Sequence, residues 1–144
     1  MFQYATVPPD PPIPNFFEAA GIGNFIQPVA NFDITEYANV ALPPGRWDLT
    51  AIGQMSSSGS PGPLIWILHL SIHPDQDISD TVPGHTQVSG QTLNNTDALD
   101  AGACIANALF TLAAPGNVYL KVQCDYPSGS PAFAGRLSAR RVMS

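Results

Sequence analysis

Charge is what this sequence has least of. Only 11% of its 144 residues are charged, against about 25% in ordinary soluble domains, so most of its surface must be built from neutral side chains. Five basic residues against eleven acidic ones leave a net charge of −6. Phosphate binding rests on clustered Lys and Arg that release counterions, so this balance argues against a nucleic-acid partner. With so little charge to keep copies apart, some apolar surface is expected to be covered by another chain.

Long apolar runs are also missing. The longest, "PLIWILHLSI", is too short and too polar at its centre to span a bilayer, so no membrane partner is expected. No charged segment, apolar stretch and small-residue cleavage site follow Met1, and the expectation is a soluble product made in the cytoplasm. There are two cysteines, Cys104 and Cys124. Both fall on faces that read as core, and in a reducing compartment they are expected as buried free thiols, with one bridge between them as the alternative. The sequon "NNT" at 94–96 then reads as a turn. At this length, burial of roughly 68–70% of the unfolded surface stabilises a single domain without bridges or metal.

Catalytic patterns are absent too. There is no "GxSxG", no ordered Ser, His and acid set, and "GIGN" leads no strand–helix unit that could cradle a phosphate. No enzyme activity and no cofactor are expected. His69 and His73 share a strand face four residues apart, about 13 Å at roughly 3.3 Å per residue, too far for one metal ion. They read as surface or interface histidines, with a metal ring built from several copies about a trimer axis as the alternative. Asp75, Asp77 and Asp80 in "DQDISD" lack the glycine and terminal Glu of a calcium loop and read as solvated. No metal site is assigned.

Proline is plentiful. Five prolines lie between Pro8 and Pro14, and since proline fixes φ and removes a donor, residues 1–24 read as an extended arm excluded from central strands. The arm also carries Phe2, Tyr4, Ile13, Phe16 and Phe17, more apolar surface than a solvated linker needs. These are the candidate contacts to a neighbour or a larger surface, with packing on the chain's own domain as the alternative.

Residues 25–144 read as β. "RWDLTAIGQMSS" puts Trp47, Leu49, Ala51, Gly53 and Met55 on one face, the alternation of a half-buried strand. "LIWILHLSIH" puts Leu64, Trp66, Leu68, Leu70 and Ile72 inward. Its other face, Ile65, Ile67, His69, Ser71 and His73, turns from apolar to polar, as for a strand passing from a contact into solvent. Cys104, Ala106, Ala108, Phe110 and Leu112 form a further inward set, as do Val118, Leu120, Val122, Cys124 and Tyr126. The last strand sets Phe133, Gly135, Leu137 and Ala139 against Ala134, Arg136, Ser138 and Arg140. The Ala-rich stretch around Gly102 could be helical, but the glycine and the alternation after it favour a strand. With Pro and Gly turns between the strands, an antiparallel all-β sandwich is the predicted fold.

Three segments together, "VALPPGRWDLTAIGQM", "LFTLAAPGNVYLKVQCDYPSGSPAFAG" and "RLSARRV", resemble small bacteriophage virion proteins. The jelly-roll modules of those proteins are similar to the trimeric tumour-necrosis-factor and complement-like sandwich and serve as head decoration (cement) proteins, head fibres and tail fibres. The resemblance implies a homotrimeric jelly-roll without catalysis, sited on the capsid surface and bound to the major capsid protein. The short chain has no helical shaft, which favours decoration over a receptor- or carbohydrate-binding fibre module, the alternative. Three of the five basic residues, Arg136, Arg140 and Arg141, fall in the last fourteen positions. Alternation puts Arg136 and Arg140 on one face and Arg141 on the other. Partial burial against carboxylates of a neighbouring strand or chain suits a guanidinium, so these three, with Ile65 and Ile67, are the candidate trimer or strand interface.

Overall fold

The computed structural model describes residues 14–20, 34–58, 65–74, 83–89, 100–125 and 130–143. They form eight strands: β1 (Phe16–Ala20), β2 (Thr35–Leu42), β3 (Gly45–Ser58), β4 (Ile65–Ser71), β5 (His85–Ser89), β6 (Asp100–Leu112), β7 (Gly116–Asp125) and β8 (Ser130–Arg141). Two four-stranded sheets result, in the orders β1-β8-β3-β6 and β2-β7-β4-β5. Strand partners run antiparallel throughout, with β1 on β8, β2 on β7, β3 on β6 and β4 on β5. The chain is therefore one long hairpin with its middle at the β4–β5 connection, rolled so that successive strand pairs alternate between sheets. The added pairs β3 on β8 and β4 on β7 complete the sheets. This is the jelly-roll form of the sandwich.

The core follows the alternation of β3, β4, β7 and β8. Trp47, Leu49, Met55, Trp66, Leu68, Leu70, Leu120, Phe133 and Leu137 are all fully buried between the sheets, each large apolar side chain contributing about 1.5–3 kcal/mol by leaving water. Gly53 and Gly135 face each other across β3 and β8. A Cβ on Gly53 would lie 2.7 Å from the Phe133 ring, so the missing side chain is what lets that ring approach the strand so closely. Tyr37 meets the same ring edge-on at 4.9 Å between centroids. Trp47 has its indole N–H satisfied, donating to the Pro43 carbonyl at 3.0 Å.

Two sequence expectations change here. Cys124 is a buried free thiol, but Cys104 is exposed. The cause is a bulge: Ala108 lies opposite Leu49 and Ile105 opposite Ala51, so Ala106 and Asn107 together oppose Thr50. Asn107 takes φ 57°, the left-handed conformation that Asn tolerates better than most residues. One extra residue reverses the strand's phase. Ile105, Phe110 and Leu112 are buried while Cys104 and Ala106 point out.

The second change concerns the arm. Phe2, Tyr4 and Ile13 lie outside the described residues, but Phe16–Ala20 forms the edge strand β1, paired with β8 in a register that sets Phe16 opposite Arg140 and Ala20 opposite Arg136. Phe17 turns inward and meets Trp47 edge-on at 5.5 Å between centroids. The residues that follow Pro14 thus belong to the sandwich, as an edge strand without proline.

Candidate functional site

The outer face of the β1-β8-β3-β6 sheet collects the exposed residues of interest. Its central row runs Phe16, Arg140, Asp48, Leu109 across β1, β8, β3 and β6, about 14 Å from end to end at the usual strand spacing. A second row runs Arg136, Ile52, Cys104. Phe16 is 54% exposed, Ile52 43% and Leu109 52%. Arg46 and Arg140 stand in solvent, with Arg136 half-buried. Asp48 is half-buried, and its Oδ1 is shielded from solvent without accepting a hydrogen bond among the described residues. Glu18 and Ser138 lie opposite one another between the rows.

Arg136 and Arg140 do share the outer face, as alternation implies. Arg141 stands opposite Trp47 in the inward phase, with its guanidinium over Gly45 and its backbone N–H donating to the Asn15 carbonyl at 2.8 Å. The three arginines do not form one patch.

The other sheet's outer face differs from expectation. His69 is 2% exposed and Ser71 fully buried, so this side of β4 does not emerge into solvent after Ile67, which is itself half-buried. Ile65 opens β4, opposite Asp125 of β7. His69 does not meet His73. Its Nε2–H donates to Gln123 Oε1 at 3.2 Å, and its Nδ1 faces His85 Nε2 at 3.5 Å; with Nε2 donating, a neutral His69 must accept at Nδ1 and His85 must donate. His73 instead donates from Nε2 to the Pro83 carbonyl at 2.9 Å. Lys121, 3% exposed, sits opposite His69 and donates from Nζ to the His73 carbonyl at 2.7 Å. These contacts tie β4, β5, β7 and the chain after β4 together. Among the described residues no group of three or more His, Cys, Asp or Glu is placed to hold a metal ion. Asp75, Asp77 and Asp80 lie outside those residues.

Sequence reasoning passed over Ile52, Leu109, His85 and Lys121. Ile52 had a visible signal, an isoleucine on the polar side of "RWDLTAIGQM". Leu109 had the same signal, a leucine between the inward Ala108 and Phe110. No protein-family model and no curated protein matches this chain.

Proposed function

We propose that this chain is a structural virion protein: a phage capsid decoration protein that assembles as a homotrimer on the major capsid protein, with residues 1–13 as its anchoring arm. The observation that carries the reading is the outer face of the β1-β8-β3-β6 sheet. Phe16, Ile52 and Leu109 are each about half exposed and share that one face with Arg46, Arg136 and Arg140. Clustered apolar side chains with arginines among them are the composition of a protein–protein contact rather than of free surface. The resemblance of the β3, β6–β7 and β8 segments to virion jelly-rolls supplies the setting. A carbohydrate-binding fibre module would present aromatic platforms, and both tryptophans are instead fully buried.

Imaging purified particles with and without the protein is the direct test: an ordered layer of added density is expected on the shell. A chain lacking residues 1–13 keeps β1 intact and should fold as the full chain does while losing most of its binding to particles. Decoration at unchanged affinity by that truncated chain overturns the anchoring role.

A further inference from the structure

We infer that His69 and His85 form an acid-operated latch: below about pH 6 they release strand β5 from β4, while the sheet that carries β3 and β8 stays folded. The device lies on the sheet opposite the proposed contact face and does not depend on the virion reading.

The latch works through the protons between two rings. His69 Nδ1 and His85 Nε2 face each other at 3.5 Å, and both residues are buried. In the neutral pair one nitrogen donates and the other accepts. The bond from His69 Nε2–H to Gln123 Oε1 fixes His69 Nδ1 as the acceptor. A first proton can enter at His85 Nδ1 without disturbing that arrangement. A second can enter only at His69 Nδ1, where it would point at the N–H of His85. The closed pair therefore holds at least one proton fewer than the same two imidazoles hold in an open segment at low pH.

Neighbouring charge acts in the same direction. Among the described residues, the charged and titratable groups around the pair are Lys121 and Tyr119 from β7, Glu36 from β2 and His73 after β4. Lys121 is buried opposite His69, so an imidazolium there adds a second cation beside a buried one. Tyr119 lies opposite Ser71, with its ring 5.4 Å from the Lys121 ammonium. Glu36 is exposed, accepts a bond from Asn39 at 2.7 Å and stands beyond Lys121 in the same row, so the ammonium comes between it and the rings. His73 is turned to the Pro83 carbonyl.

Strand β5 is the element that gives way. It has five residues, begins at His85 and, among the described strands, pairs with β4 alone at the edge of its sheet. Its one apolar side chain, Val88, is only partly buried against the core, so little apolar burial opposes a local opening. The direction follows from proton uptake. Open imidazoles gain protons as pH falls through about 6.5, so the β4–β5 pairing has its full stability above that value. Below it, each unit of pH favours the open form about tenfold for each proton the closed pair cannot take.

The test is backbone hydrogen exchange of the full chain between pH 7 and pH 5 (both about), with rates corrected for the intrinsic effect of pH; Asp and Glu ordinarily take up protons below that window. Protection of the β4–β5 ladder amides should fall at least about 20-fold across it, while the β3–β8 ladder keeps its protection. The double variant His69→Gln with His85→Gln should flatten that response, and His73→Gln should leave it in place. Protection of β4–β5 that does not change with pH overturns the latch. So does a fall shared equally by both sheets, or a full response in the double variant. The double variant also removes two buried rings, so ring-nitrogen NMR of the unaltered chain supplies a second reading. No more than one of His69 and His85 should be protonated while the β4–β5 amides remain protected, and two protonated rings with β5 closed overturn the latch.

Discussion

The two outer faces of this sandwich invert the usual relation between polarity and exposure. On the β1-β8-β3-β6 sheet the large apolar side chains Phe16, Ile52 and Leu109 are exposed, while on the β2-β7-β4-β5 sheet His69, Ser71, His85 and Lys121 are buried. The second face is covered and internally bonded, with imidazole to imidazole, imidazole to amide, and ammonium to carbonyl. The first is open, and its one shielded carboxylate oxygen, on Asp48, accepts no bond from the described residues. Buried polar groups are costly unless bonded, and clustered exposed apolar groups are costly unless covered. One sheet has met most of its requirement within the chain; the other leaves its requirement to a partner.

Substitutions can break or sharpen that contrast. The largest loss is expected on the covered face: Lys121→Ala removes a buried ammonium and leaves the His73 carbonyl without its donor, at about 1.5–3 kcal/mol, read by chemical denaturation. A loss within about 0.5 kcal/mol, the range of ordinary surface substitutions, would mean that the buried polar face contributes no more than a solvated one. Next comes the boundary of the open face. Asn107→Val forces a β-branched residue into the left-handed region at about 1–2 kcal/mol, whereas Asn107→Gly should melt close to the parent, and equal melting temperatures for the two would remove the bulge argument. The smallest effect belongs to Arg140→Ala on the isolated subunit, about 0–1 kcal/mol, because the guanidinium is exposed. A melting loss several times larger would mean that Arg140 acts within its own sandwich and not on a neighbour.

Alternation alone located most of the core, since in β3, β7 and β8 the inward set on the described residues is the one the period of two predicts. It failed in β6, where a single left-handed residue changes which letters face inward, and no periodicity shows where a bulge falls. The candidate site was half legible. Arg136 and Arg140 emerged from the last strand by the same rule, but their cross-strand neighbours Asp48 and Phe16 depend on register, which strand sequences do not print. The histidine pairing was hidden for the same reason: Ser71 opposite His85 brings together residues fourteen apart in sequence, and spacing along one strand gives no sign of it.

The bulge at Asn107 also bears on how far assembly can go. With thirteen residues, β6 is the long free edge of its sheet, and an unbroken edge of that length is a template for adding strand after strand without end. A bulge near its middle leaves two short stretches whose side chains run out of phase, so an incoming strand cannot match both. The opposite edge, β1, is five residues long. Growth along the hydrogen-bonding direction of this sheet is thereby discouraged at both ends, which leaves its outer face, where contact can terminate at a fixed number of copies, as its route to association in a weakly charged protein at high concentration.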